Sequence, residues 1–157
     1  MKRGQIQGQV FIYILTLVIT AGILLYGYKA IIRVNDTSKQ VELVKFENDL
    51  RKDFEEMSST YRKVRLETYY VPSEVKEIYF YQETGDIPSD INPLIYDSIL
   101  DTDNNVFLVI GNSIKAMNLG KINLGGTDSP ILHIPINNNR LKLRLEGLGN
   151  GVSVEQS

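Results

Sequence analysis

A run of nineteen residues without a charged side chain, Val10 to Tyr28, constrains this chain more than any other feature. As an α-helix rising about 1.5 Å per residue, the run reaches roughly 28 Å, close to the hydrocarbon thickness of a bilayer. Eleven of its residues are Val, Phe, Ile or Leu, each of which favours insertion at mid-membrane by about 0.3–0.6 kcal/mol. The run ends with two tyrosines, Tyr26 and Tyr28, and is followed by two cations, Lys29 and Arg33. Both residue types are typical of a membrane interface. The run therefore predicts a transmembrane helix over about residues 10–28.

Two other interpretations of the run fit less well. A buried core helix is usually shorter and apolar on one side, whereas this run is apolar all round. A cleaved secretion signal has an apolar region of about 7–15 residues with a small-residue cleavage site after it. Here the run is longer, and Thr20-Ala21-Gly22 lies inside it. We therefore expect residues 1–33 to be a signal and anchor, with membrane lipid as the partner.

The remainder of the chain, residues 34–157, is long enough for one domain with its own core. It carries 13 Lys and Arg and 19 Asp and Glu. This acidic balance argues against nucleic acid as a partner, because nucleic-acid recognition needs a clustered basic face. The chain has no cysteine, which excludes a disulfide framework, a thiolate metal site and a cysteine nucleophile.

The residues before the apolar run suggest processing. Lys2-Arg3-Gly4-Gln5 places two cations and a glycine where a peptidase at the inner membrane face could reach them. This arrangement resembles the class III signal of archaeal type IV pilin-like proteins. The resemblance implies recognition at Arg3 and Gly4, a new N-terminus at Gln5, and Gln9 as the fifth mature residue, with a role in assembly. Many bacterial pilins carry glutamate there, and glutamine cannot neutralise a neighbour's terminal amine. An uncut anchor remains the alternative.

The rest of the chain is similar to a group of uncharacterised archaeal single-pass membrane proteins. The similarity covers most of the length and implies no activity. The pieces that carry it are residues 72–78, residues 92–99, and the segments 141–143 and 146–149.

The orientation in the membrane follows from two opposed arguments. The cations near the C-terminal end of the run outnumber Lys2 and Arg3, which by itself favours a cytosolic domain. Long domains, however, translocate largely regardless of their charge, and a short tail with three positive charges is hard to export. We therefore expect a single-pass protein of the cell membrane with its C-terminal domain outside.

A stalk is expected over residues 34–63. Four cap-and-turn residues, Asn35 to Ser38, predict that the transmembrane helix ends or kinks there. Thr37 with Gln40 fits a capping box that opens a second, amphipathic helix. Its apolar stripe consists of Leu43, Phe46, Leu50, Phe54, Met57 and Tyr61. This stripe is expected to pack either on the protein's own sheet or against another helix. Asn35-Asp36-Thr37 is also an N-glycosylation pattern, although a helix cap is the simpler interpretation.

The pattern changes from helical to alternating at residue 64, so residues 64–157 are expected to form a β-rich domain. The expected orientation of the anchor places this domain outside the cell. Strands are predicted over 64–68, 75–81, 106–110, 131–136, 141–145 and 152–154. Asn92-Pro93 predicts the start of one short helix, and residues 137–139 predict a turn. The fold class is therefore α+β: an N-terminal transmembrane helix, an amphipathic stalk helix and a small, mostly antiparallel β domain.

Few residues suggest chemistry. His133 is the one histidine, and a single imidazole between apolar strand residues is typical of a partly buried structural group. A membrane-tethered hydrolase would need His133 exposed beside a hydroxyl or carboxylate. Asp101, Asp103 and Asn105 have the spacing that opens a calcium loop. Val106 and Asn112, however, replace the turn glycine and the closing glutamate, so a solvated turn is the simpler interpretation. We expect no catalytic residues and no cofactor.

Taken together, these features predict a non-enzymatic, membrane-anchored surface protein. The leading hypothesis is a pilin-like structural subunit that self-associates, because its apolar N-terminal helix would pack against identical helices in a filament. The alternative is a permanently anchored envelope protein whose β domain binds a partner protein or a glycan.

Overall fold

The computed structural model of the chain describes residues 4–84, 87–88, 91–126 and 129–157. Helix α1 runs from Gly4 to Ser58. The chain divides into two compact units, one ending at Val41 and the other running from Glu42 to Ser157, and each is described by itself. The predicted α+β class is confirmed: a long apolar N-terminal helix precedes a small β domain that is mostly antiparallel.

The prediction that the helix ends at residues 35–38 is wrong, because α1 continues through them. The hydroxyl of Thr37 donates to the carbonyl of Arg33 at 2.9 Å, and that of Ser38 donates to Val34 at 3.0 Å. Hydroxyls that bond back along a helix in this way do not cap a new one. Thr37 therefore opens no capping box, and the boundary expected at residue 34 is not a helix end.

The stalk helix was expected to reach residue 63, but α1 ends at Ser58. A strand was expected from residue 64, but it begins at Tyr61. Three consecutive hydroxyls at this end, from Ser58, Ser59 and Thr60, each donate to the carbonyl oxygen three residues earlier at 2.8–2.9 Å. They satisfy carbonyls that a helix end leaves without a partner. The helix can therefore stop without a glycine.

Within the described residues, the β domain has two four-stranded sheets. The strands are β1 (Tyr61–Tyr70), β2 (Val75–Tyr81), β3 (Val106–Ile110), β4 (Ser113–Met117), β5 (Ile122–Leu124), β6 (Ile131–Pro135), β7 (Arg140–Leu148) and β8 (Val152–Gln156). The first sheet has the order β1-β7-β8-β5 and the second β4-β3-β2-β6. Every pairing is antiparallel except the parallel pair of β5 and β8. Strands β4 and β5 were not predicted from the sequence.

The turn predicted at residues 137–139 joins the two sheets rather than two paired strands. Asn138 and Asn139 both have positive φ, at 56° and 54°, a conformation that asparagine tolerates better than most residues. Strand β6 before the turn belongs to the second sheet, and β7 after it belongs to the first. The turn therefore moves the chain from one layer to the other.

The core lies between the sheets and is completed by the end of α1. The stripe residues Phe46, Leu50, Phe54 and Met57 are buried in one cluster with inward side chains of both sheets, so the stripe packs on the protein's own β domain. Tyr61, the last residue of the predicted stripe, is instead an exposed residue of β1. Phe54 stacks on Phe80 of the second sheet, with ring centroids 6.2 Å apart.

Helix α2 (Pro93–Asp101) covers the outer face of the second sheet. Asn92 caps it as predicted: its side-chain oxygen accepts a hydrogen bond from the amide of Leu94 at 3.0 Å. Ile95 and Ile99 are buried in a second, smaller cluster with side chains of β2, β3 and β6.

Candidate functional site

The apolar segment of α1 is the first candidate site. Its most apolar 18-residue window has a mean hydropathy of 2.3, and none of that window is buried. Large apolar side chains are exposed all round the helix, from Val10 and Phe11 to Ile31 and Val34. A helix that is apolar on every side and covered by nothing needs an apolar environment. Among the residues that the structure describes, one helix near the N-terminus is thus long and apolar enough to cross a membrane.

The expected processing site lies at the start of this helix. Lys2 and Arg3 fall outside the described residues, Gly4 is the first residue of α1, and Gln5 follows within it. Gln9, the expected assembly residue, donates from Nε2 to the hydroxyl of Tyr13 at 3.1 Å. Its amide therefore has a partner one turn along the same helix.

Asn35, the candidate for glycosylation, lies within helix α1 and is exposed. The hydroxyl of Thr37, which completes the pattern, is already bonded to the carbonyl of Arg33. The pattern therefore lies on a helix, whereas glycosylated asparagines are typical of surface loops.

The second candidate site is a polar cleft of about 880 Å³ at one end of the β domain. It is lined by the end of α2, the loop after β2, and the turns between β4 and β5 and between β7 and β8. The expected calcium residues Asp101, Asp103 and Asn105 all line it.

The amides of the cleft are engaged in holding its turns together. Asn105 donates to the carbonyl of Gly120, and its Oδ1 accepts from the amide of Leu119 at 3.0 Å. Asn118 donates to the carbonyl of Asp103 and accepts from the amide of Gly120. These side chains stabilise the loops, because they bond the segment before β3 to the turn between β4 and β5.

The expected calcium residues line the cleft, and one of them is already hydrogen-bonded within the fold. The Asn105 oxygen is already bonded to a backbone amide. Within the described residues, no three His, Cys, Asp or Glu side chains are grouped so that they could hold a metal ion. The solvated turn between α2 and β3 therefore stays the simpler interpretation of this loop.

His133 lies on β6 with its side chain 45% exposed, more exposed than the sequence suggested. Its Nε2 is 3.3 Å from a carboxylate oxygen of Glu77, and its ring stacks on Tyr79 with centroids 4.4 Å apart. The Tyr79 hydroxyl donates to the same carboxylate at 2.7 Å. Burial, with this hydrogen bond, raises the pKa of Tyr79 to about 12.

This cluster meets the geometric condition for a histidine beside a carboxylate, but it does not align a nucleophile. The Tyr79 proton points to Glu77 and not to the imidazole. Glu77 therefore orients two stacked rings, which is what a structural group on a sheet surface does.

A network of charges joins α1 to β1 within the β domain. Arg65 pairs with Glu56 and lies 3.5 Å from Asp53, and Tyr69 donates to Asp53 at 2.9 Å. The hydrogen bond from Arg65 lowers the pKa of Glu56. Burial, followed by the hydrogen bond to Asp53, raises the pKa of Tyr69. Sequence reasoning missed this network, because its members come together only when β1 packs beside the helix.

Comparison with protein-family models, curated proteins and solved structures finds no match for this chain.

Proposed function

We propose that this protein is a non-enzymatic, pilin-like structural subunit, anchored in the cell membrane by the apolar segment of α1, with its β domain outside. One observation carries the proposal. The apolar segment is exposed on every side, while the hydrophobic core of the β domain begins only at Phe46. The segment therefore serves something other than the core of its own domain.

During assembly the apolar segment stays buried in apolar surroundings. In the membrane the segment is surrounded by lipid, and in a filament it is surrounded by the same segment of neighbouring subunits. Because lipid chains are about as apolar as leucine, transfer between the two depends on close packing and on polar contacts between helices. Gly8, Gly22 and Gly27 support such packing, since residues without a side chain let neighbouring helices approach closely.

Intact-mass analysis of the protein from its own membranes tests the proposal. We expect the mature chain to lack residues 1–4 and to sediment as a polymer after gentle shearing of cells. Gly4→Phe should leave the full-length chain and abolish the polymer, because a bulky residue blocks the expected cleavage. Gly8→Phe is the matched control and should still be cut. A wild-type chain that keeps Met1 and forms no polymer would contradict the proposal.

The polar cleft supports a second candidate, a permanently anchored envelope protein whose β domain binds a partner protein or a glycan. The cleft is large enough for a small ligand. The first candidate is favoured because several amides of the cleft are already bonded within the fold. An uncut N-terminus, together with glycan binding that Asp103→Ala weakens, would favour the second.

A further inference from the structure

An exposed apolar strip runs along the outer face of β1. Val64, Leu66 and Tyr70 are 47%, 68% and 68% exposed, whereas Tyr69 on the inner face is buried. Directly opposite on β7, Lys142 pairs with Thr68 and Arg140 pairs with Tyr70. Opposed residues of an antiparallel pair share a face. We call these residues the β1 patch: Val64, Leu66, Thr68, Tyr70, Arg140 and Lys142.

The charge of the β1 patch is positive and not neutralised. Arg140 and Lys142 are exposed, and neither forms an ion pair with a residue that the structure describes. Arg144, the next cation on the same face, is different, because it pairs with Glu146 and Glu155.

A second apolar surface lies on the outer side of α2. Leu94, Tyr96 and Leu100 are 51%, 38% and 61% exposed, because Ile95 and Ile99 face the sheet. Asp97 and Asp101 are exposed on the same side, and neither is ion-paired within the described ranges. We call these residues the α2 patch: Leu94, Tyr96, Asp97, Leu100 and Asp101.

The two patches lie on opposite outer faces of the β domain. The β1 patch is on the outside of the first sheet, and α2 covers the outside of the second. They are complementary, since each combines apolar side chains with charges of opposite sign. Because they face away from each other, they cannot satisfy each other within one chain.

We propose that the β1 patch of one molecule binds the α2 patch of a second copy of this chain. Such a contact is heterologous, because different surfaces meet. Repeated contacts of this kind build rings or open filaments rather than closed dimers. The inference deepens the proposed function and rests on it, since it names the contact that joins the β domains of neighbouring subunits.

The anchor makes this contact effective. Each patch has five or six side chains, whereas a standard stable interface has about 20–30 residues a side. The contact is therefore weak between free domains. Confining the copies to one membrane or filament raises their effective concentration, which strengthens a weak contact without adding new ones.

Cysteine cross-linking in native membranes tests the contact directly, because the chain has no cysteine of its own. A double variant, Leu66→Cys with Leu100→Cys, should form a ladder of dimers, trimers and larger species on mild oxidation. Each single variant should stay monomeric. Leu66→Cys with Asn112→Cys is the matched control, since Asn112 is exposed but lies in the β3–β4 turn outside both patches.

Charge reversal tests the complementarity of the patches. In the Leu66→Cys/Leu100→Cys background, Lys142→Glu with Arg140→Glu should reduce the ladder about tenfold, since two surface attractions become repulsions. Adding Asp97→Lys and Asp101→Lys should restore it.

The outcomes separate this inference from the proposed function. A ladder supports the contact, whether or not a sedimentable polymer is found. A missing polymer contradicts only the pilin-like role. A polymer without the ladder overturns the contact and leaves that role intact. A dimer from Leu66→Cys alone also overturns the contact, because it shows that two copies of the same patch meet.

Discussion

Gly147 lies on β7, where the end of α1 packs closely against the first sheet. A Cβ at this position would lie 2.5 Å from the backbone oxygens of Met57 and Thr60, and backbone atoms cannot rotate away as a side chain can. Only glycine fits here, which is a requirement of close approach rather than of turn geometry.

Gly147→Ala should therefore destabilise the β domain by about 2–3 kcal/mol, the usual cost of overpacking a tightly fitted site. Thermal unfolding of the detergent-solubilised chain, followed by circular dichroism, measures the loss. The control is Gly27→Ala, where an added Cβ meets nothing within 4 Å. Equal unfolding midpoints for the two variants would show that α1 does not approach β7 as described.

Glu56 gives a prediction about pH. Its pKa is lowered from 4.5, chiefly by the hydrogen bond from Arg65 and then by the one from Lys63. A carboxyl group whose pKa is lower in the folded state stabilises the fold above its unfolded pKa. That contribution is lost as the pH falls below 4.5 and through the folded pKa.

Glu56→Gln should remove this acid-dependent part of the stability. Its unfolding midpoint should fall below that of the wild type at neutral pH, and the two should converge as the pH falls through the lowered pKa of Glu56. Glu55→Gln is the control, since Glu55 is an exposed neighbour whose carboxylate forms no ion pair in the described structure. A constant difference between wild type and Glu56→Gln at every pH would be inconsistent with the pairing.

At the scale of elements, the last turns of α1 complete the core of the β domain. Phe54 is fully buried and stacks on Phe80 of the second sheet. On either side of the apolar stripe, α1 is bound to both sheets: Glu47 to Lys115 of β4, and Glu56 to Arg65 of β1. This part of the helix therefore lies against the edge strands of the two sheets.

Phe54→Ala should cost about 3–5 kcal/mol, because it removes a large buried ring and leaves a cavity. Phe11→Ala is the matched control: the same substitution in the same helix, at a side chain 66% exposed. We expect the unfolding midpoint of the β domain to drop in the first variant and to stay unchanged in the second. The reverse result would place the stripe outside the core.

The elements show where sequence reasoning succeeds. Strands β2 and β3 and the N-cap of α2 follow from local signals, an apolar run or an Asn-Pro pair, and the structure confirms them. The predicted helix end at residues 35–38 was wrong because a hydroxyl can bond back to a helix carbonyl as readily as it can cap a helix. Thr and Ser occur in both arrangements, so these residue types alone do not distinguish a capped helix start from a continuous helix.

Strands β4 and β5 were missed for a different reason. Strand β5 has three residues and β4 has five, with Ser113 and Lys115 alternating with small or apolar side chains. Such short segments carry little periodic signal. They become strands because a longer neighbour supplies their hydrogen bonds, β3 for β4 and β8 for β5.

For the candidate sites the same limit applies. The apolar segment of α1 is visible in the sequence, since hydropathy and length are local properties. The β1 and α2 patches are not, because they depend on which strand lies at an edge and which residues of β7 are opposite β1. Leu66 in an alternating strand gives no sign of whether its face is covered.

At the scale of the whole molecule, the two units divide the physical tasks between them. The unit that ends at Val41 contains the exposed apolar segment, while the larger core cluster has all its buried residues at or beyond Phe46. A domain with a complete core of its own is expected to fold independently. An apolar helix with its side chains exposed in this way is expected to partition into lipid.

A truncated chain covering residues 42–157 should therefore fold and remain soluble without detergent, because every residue of both core clusters is retained. We expect its unfolding midpoint to lie within a few degrees of that of the full chain in detergent, since no buried side chain is lost. The full chain is the control, and it should pellet with membranes and resist extraction by high salt. Membrane association of the truncated chain would show that the anchor lies in the β domain. A truncated chain without cooperative unfolding would show instead that the apolar segment contributes to the core, and the proposed division of tasks would be wrong.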